Sequence, residues 1–253
     1  MDTPEWITYQ NQFDLPATYF QDIPKETNKF CVIVEPRKHP RLIPVIKNYA
    51  YLLQKKGWGL IIICGTANEE FVKKGIAGWP NVRLIRMTTE NITSNEYSDI
   101  FCSPTIWELL IGLGCQHSLI FQVDTVLLKD SVDEFLEYDY VGAPWCVKWL
   151  GLELGNGGLS LRNTYKMLEI TKQCPRIANT VFGERHLTNE DIYFSFYLAR
   201  FRTANLPSVE EALRFSVETV FYDDPCGMHQ PHIDKFPSRE AFAKLLSKRY
   251  NII

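Results

Sequence analysis

Two hydrophobic rhythms alternate along the first half of the chain. Short unbroken apolar runs, Phe30 to Val34 (FCVIV) and Trp58 to Cys64 (WGLIIIC), predict strands buried on both faces. Between them Leu42, Val45, Ile46, Tyr49, Leu52 and Leu53 recur every three or four residues. That spacing predicts a helix with one apolar face, stopping at Gly57. A short helix over Asn68 to Lys74 follows, then a more alternating strand, Asn81 to Met87, nearer an edge. Thr88 to Asp99 is polar and reads as a loop. Ser103 to Leu113 reads as a helix, with Ser103 as N-cap and Pro104 at its first position. The next apolar run, Leu119 to Leu128, reads as one buried strand holding a single carboxylate, Asp124. Strand and helix alternating in this way predict an α/β chain whose parallel sheet is covered by helices on both faces.

The second half is less regular. Ser131 to Glu137 predicts a short acidic helix. Tyr138 to Trp145 reads as a strand running into a Gly/Pro corner, and Gly155 to Arg162 as a Gly-rich turn and a further strand. Helices are expected over Thr164 to Cys174, Asn189 to Arg200 and Leu206 to Val217. Residues 221–237, with His229 and His232, read as irregular, and Ser238 to Tyr250 as an amphipathic basic helix. Residues 1–28 are polar, aromatic and broken by prolines, and read as an irregular arm. No repeat or linker divides the chain. One domain is expected: the arm, a nucleotide-binding half over 29–125, a second half over 126–237, and a C-terminal helix over 238–253.

Composition narrows the function. The 253 residues are 45% hydrophobic and 23% charged, an ordinary globular balance. A net charge of −3 offers no basic excess for nucleic acid or an anionic membrane surface. The start has no basic region followed by an apolar stretch, so no signal peptide is expected. No apolar run approaches the roughly 20 residues of a membrane span. The seven cysteines, Cys31, Cys64, Cys102, Cys115, Cys146, Cys174 and Cys226, stand singly, without the CxxC spacing of a structural zinc site. Their scatter suits a reducing compartment. The expectation is a soluble, cytoplasmic chain with no nucleic-acid partner.

Asp124 opens the chemistry. A lone carboxylate is costly to desolvate. Either it marks a strand end where a cleft opens, the usual ligand site of open α/β sheets, or a cation stands beside it. The duller reading is an Asp that caps a turn. Gly155-Asn156-Gly157-Gly158, Asn189-Glu190-Asp191 and Gly227-Met228-His229 also bring polar groups out of apolar surroundings. With Gln122-Val123-Asp124 they suggest metal-assisted transfer of a group from a phosphorylated donor. One carboxylate and one imidazole form a partial ligand set for Mn²⁺ or Mg²⁺. A second carboxylate would take a proton from an acceptor hydroxyl. Each stretch has a plainer explanation: helix-dipole charges at Glu190 and Asp191, a tight turn at the glycines, a loop histidine that binds nothing, a solvated strand end at Glu35 and Arg37.

The blocks FQVDTVLL, YDYVGAPW, GNGGLSLRN, NEDIYFSF, FSVE and GMH occur in that order, with FCVIVEPRKHP and WGLIIICGTAN ahead of them. Together, over Phe30 to His232, they resemble a little-characterised family of GT-A-fold glycosyltransferases. The resemblance implies a GT-A-like (Rossmann-like), mostly parallel central sheet. It implies transfer of a sugar from a nucleotide diphosphate sugar to a hydroxyl of a glycan or glycoconjugate, and makes 126–237 the acceptor and catalytic half. Gln122-Val123-Asp124 stands where such enzymes carry Asp-x-Asp. Asp124 matches the carboxylate that touches Mn²⁺ or Mg²⁺, and Gln122 departs from the residue that helps hold ribose or metal. His229 falls where a late histidine ligand is found. Asn189-Glu190-Asp191 resembles a motif of inverting members, with Asp191 as base and Glu190 beside it. Gly157 and Gly158 would lie beside the sugars, Trp145 and Asn156 on the acceptor side, and Glu35 and Arg37 at the nucleobase and ribose.

Two other readings stay open. A sugar-phosphate nucleotidyltransferase has a related sheet, but carries a Gly-rich basic loop after the first strand, where this chain has EPRKHP. A non-catalytic carbohydrate-binding module on the same fold draws its support from Gln122.

Overall fold

A computed structural model of the chain describes residues 3–146, 155–174, 176, 181–182, 185–186, 189–247 and 250. The strands are β1 (Lys29–Glu35), β2 (Gly59–Cys64), β3 (Arg83–Arg86), β4 (His117–Phe121), β5 (Thr125–Leu127), β6 (Tyr140–Gly142), β7 (Leu159–Asn163), β8 (Val181–Phe182), β9 (Arg185–His186), β10 (Ser216–Val217) and β11 (Gly227–His229). The helices are α1 (Pro4–Asn11), α2 (Leu42–Leu53), α3 (Glu69–Gly75), α4 (Ser94–Phe101), α5 (Pro104–Gly112), α6 (Thr164–Gln173), α7 (Glu190–Leu198), α8 (Val209–Phe215) and α9 (Arg239–Leu245). A six-stranded sheet runs in the order β3-β2-β1-β4-β7-β6, and a small sheet in the order β10-β11-β5.

The large sheet is mostly parallel, as expected, but mixed, because one strand is reversed. β1 to β4 pair in parallel, while β7 is antiparallel to both β4 and β6. β7 therefore runs against the other five strands. Alternation along the strands splits the core in two, as the unbroken apolar runs require. Cys31 and Ile33 enter a cluster with residues of α1, α2, α8 and α9. Phe30, Val32 and Val34 enter a second cluster with residues of α4, α5, α6 and α7. Helices thus cover both faces, as expected, and Gly57 does end the turn after α2 in the left-handed conformation, at φ 80°.

The run from Leu119 to Leu128 is not one strand. β4 stops at Phe121, the chain turns through Gln122 to Asp124, and β5 leaves for the small sheet. The backbone N–H and the hydroxyl of Thr125 donate to the Gln122 carbonyl, at 3.2 and 2.7 Å. From α2, the Asn48 side chain donates to the Leu127 carbonyl at 3.0 Å and accepts from its N–H at 2.8 Å. Both halves of the run are buried, so hydrophobicity alone carries no mark of the break.

Other expectations are corrected in the same way. The arm holds α1, capped by Thr3 with Pro4 at its first position; Trp6 and Tyr9 are buried, and the Tyr9 hydroxyl donates to the Leu127 carbonyl at 2.6 Å. The polar loop at 88–99 contains the start of α4, fixed by a reciprocal capping box between Thr93 and Glu96. The acidic segment at 131–137 is a 3-10 helix, Ser131–Phe135. The strand expected over 138–145 is confined to β6. The helix expected over 206–217 is α8 alone, since Ser216 and Val217 pair as β10 with β11. That pairing also orders part of 221–237. The C-terminal helix is α9, shorter than expected. Among the described residues no helix is long and apolar enough to cross a membrane.

Candidate functional site

A pocket of about 460 Å³ opens at the carboxyl ends of β1 and β4, where open α/β sheets bind ligands. β1 contributes Val34 and Glu35, followed by Arg37. The turn after β4 contributes Gln122, Val123 and Asp124. Because β7 is reversed, its amino end lies beside the carboxyl end of β4, with Leu159 opposite Phe121. This brings the Gly155–Gly158 turn to the same rim. β11 runs antiparallel to β5 with His229 opposite Thr125, one residue from Asp124. The amino end of α7 supplies Asn189, Glu190 and Asp191; that of α4 supplies Ser94, and Tyr97 one turn on.

Asp124 and His229 face each other, Oδ1 to Nε2, at 3.5 Å. Asp124 Oδ1 is buried with no hydrogen bond, while Oδ2 accepts from the Gln230 side chain at 2.9 Å. The other imidazole nitrogen, Nδ1, stands 3.3 Å from Glu218 Oε1. Glu218 in turn accepts from Asn156 Nδ2 at 2.9 Å, and Asn156 Oδ1 accepts from the Gly158 N–H at 2.9 Å. Burial works against a charge on His229, but the flanking Asp124 and Glu218 carboxylates raise its pKa to about 9. Burial opposes ionisation of Asp124 too, and His229 outweighs it, so that its pKa is lowered.

These residues fit a divalent cation. Asp124 Oδ1 accepts no hydrogen bond in the protein, His229 Nε2 stands 3.5 Å from it, and the remaining imidazole nitrogen faces a carboxylate, the usual support of a metal-binding histidine. A cation would replace the proton that His229 otherwise holds. Among the described residues, no three His, Cys, Asp or Glu side chains converge as a complete metal cluster. Asp124 and His229 alone would leave most positions around such a cation to be filled by other oxygen atoms.

Asp191 stands at the amino end of α7. Burial and the neighbouring Glu190 charge raise its pKa, against the pull of Arg162 and of hydrogen bonds from the Ile192 and Gly157 N–H groups, at 2.7 and 3.3 Å. Glu190 is buried and engaged elsewhere, its Oε1 accepting from Arg162 Nη2 at 3.0 Å. Arg162 is fully buried on β7. Its guanidinium lies 5.2 to 6.0 Å from the ring centroids of Tyr140, Phe101, Phe194 and Trp107, and also donates to the Gly157 carbonyl at 3.3 Å. Glu35 grips Arg37 at both carboxylate oxygens, 2.8 and 2.7 Å.

The glycines are required by close approach. A Cβ on Gly158 would overlap the His229 imidazole, and one on Gly157 would overlap the Glu190 carboxylate. Gly158→Ala is expected to push the imidazole from Asp124 and abolish any Mn²⁺-dependent rise in melting temperature; an unchanged Mn²⁺ response would refute the contact.

Of the residues expected at the site, Glu35, Arg37, Gln122, Asp124, Asn156, Gly158, Glu190, Asp191 and His229 line the pocket. Gly157 lies just behind it, bonded to Asp191. Trp145 is outside the lining, with its ring against Gly155. The sequence reading missed Tyr97, Arg162, Glu218 and Gln230. Arg162 carried a usable signal, a charge inside a buried strand, the same signal that drew attention to Asp124. For Tyr97 the signal was the Thr93-x-x-Glu96 capping box, which turns a supposed loop into a helix.

One family's sequence model, described as "Protein of unknown function (DUF5672)", matches residues 81–229, more than half of the chain. No curated protein matches the chain. Among solved structures, the apo crystal structure of mouse xyloside xylosyltransferase 1 is similar, with a TM-score of 0.55 and 10% identity, covering 83% of this chain and 99% of that one. At that identity the likeness is one of fold, and the fold is GT-A-like.

Proposed function

We propose that this chain, which belongs to the DUF5672 family, is a glycosyltransferase that moves a sugar from a nucleotide diphosphate sugar to a hydroxyl of a glycan or glycoconjugate. The observation that carries this reading is the placement of Asp191, a carboxylate with a raised pKa, in the same pocket as the Asp124–His229 pair. The fold shared with a xylosyltransferase supports it. So does the charge of the pocket. Glu35 is paired to Arg37 and Glu190 to Arg162, while the His229 imidazole stands between the Asp124 and Glu218 carboxylates and Asp191 lines the same pocket. A nucleotide diphosphate entering such a site calls for a cation.

Asp124 and His229 would hold Mn²⁺ or Mg²⁺. When bound, the ion neutralises charge on the leaving diphosphate. Glu35 and Arg37 hold the nucleoside from the end of β1, and Gln122 serves the donor half of the same pocket. Asn156 and Trp145 flank the acceptor. Asp191 takes the proton of the acceptor hydroxyl. The oxygen then bonds to the anomeric carbon while the bond from that carbon to the diphosphate breaks. A base acting on the acceptor directly inverts the anomeric configuration. Seven cysteines without a disulfide support a cytoplasmic location.

Thermal melting with nucleoside diphosphates and nucleotide sugars, with and without Mn²⁺, tests this. A ligand at a hundred times its Kd adds about 2.7 kcal/mol. A Mn²⁺-dependent rise with one nucleobase is expected, reduced in Asp124→Ala and His229→Ala. A rise indifferent to metal would remove the two ligands. No rise with any nucleotide would favour a sugar-binding module.

A further inference from the structure

One polar atom of the pocket is unused in that scheme. The Tyr97 hydroxyl is buried and makes no hydrogen bond within the protein, although the residue lines the pocket. Its ring packs on Phe101 with centroids 4.8 Å apart, which restrains the hydroxyl from swinging out to water. An unpartnered buried hydroxyl is costly, and in a ligand pocket the cost is explained when the ligand completes the bond.

The surroundings select the ligand group. Burial raises the phenol pKa far above its ordinary value, and the Glu190 and Asp124 charges push the same way. Tyr97 therefore stays neutral, able to donate or accept one hydrogen bond. The Gln122 side chain is close enough to act on it, without forming that bond. A sugar hydroxyl is neutral and both donates and accepts.

Building on the glycosyltransferase reading, we propose that the Tyr97 hydroxyl, beside Gln122, binds a hydroxyl of the donor sugar and selects donors that carry it. The variant Tyr97→Phe removes the one oxygen and keeps the ring. Affinities are measured for UDP and UDP-glucose, and for GDP and GDP-mannose, with the better-bound pair carried forward. The diphosphate is expected to bind the variant as it binds wild type. The nucleotide sugar is expected to bind about five- to tenfold more weakly, the loss of one hydrogen bond. The ligand-free variant should melt no lower than wild type, because no internal bond is lost. Among monodeoxy donors, one should show the same loss against wild type and no further loss against the variant. Equal weakening of diphosphate and nucleotide sugar would overturn the proposal by placing the hydroxyl on the nucleotide. Unchanged affinity for both would overturn it as well. A folded wild type that binds none of the four ligands would overturn the transferase reading and this inference with it.

Discussion

Asp191→Asn is expected to lower sugar transfer about 10²- to 10⁴-fold, the contribution of a positioned general base, while nucleotide binding survives. The amide keeps the size and one acceptor oxygen, for the 2.7 Å bond from the Ile192 N–H, gives up the longer 3.3 Å bond from the Gly157 N–H, and cannot take the proton. In wild type the rate should rise with pH through an ionisation above the ordinary carboxylate range, because burial and Glu190 raise the Asp191 pKa. The same shift acts on stability with the opposite sense. Between the ordinary carboxylate pKa and the raised one, the folded protein keeps a proton that the unfolded chain has released. Stability therefore falls as pH rises through that window. Asp191→Asn should remove that fall, and melt no lower than wild type at pH 8. Initial rates and melting curves across pH check both parts. Undiminished transfer by the variant would assign the base elsewhere.

Arg162→Met is expected to cost about 3–5 kcal/mol, the range for stranding one member of a buried ion pair. Glu190 would be left buried without its cation, and Gly157 without one donor. For a chain of this size that loss lowers Tm on the order of 10 °C. The double variant Arg162→Met/Glu190→Gln should recover much of it, since no unpaired charge is left. The aromatic cage of Phe101, Trp107, Tyr140 and Phe194 can accept a methionine, which packs well against rings. A single variant that melts with wild type, or a double variant no better than the single, would show that the pair does not carry this load.

Much of the scaffold was legible in the sequence. Unbroken runs at FCVIV and GLIIIC can only be buried on both faces, and the spacing from Leu42 to Leu53 can only present one apolar face as a helix. The polar residues clustered outside those runs also marked most of the pocket: Asp124, Asn156, Asp191 and His229 meet within it. The misses share a cause. Hydrophobic periodicity reports burial, so it passed over the bend between β4 and β5, where burial does not change. Arg162 was passed over inside a strand-like run because its stabilising partner, Glu190, lies 28 residues on.

Which segments are buried, where most helices form, and which short polar stretches break the apolar pattern each follow from a residue and its near neighbours, so the chain alone declares them. The direction of β7, which delivers the glycine turn to the end of β4, is settled only by assembly of the sheet. Assembly likewise sets His229 opposite Thr125, closes Glu218 onto the imidazole, and leaves the Tyr97 hydroxyl without a partner. These features depend on strand direction and on pairings between residues far apart in the chain, as between Thr125 and His229. They arise from closing long loops against the whole core, a free energy that no local window of sequence contains.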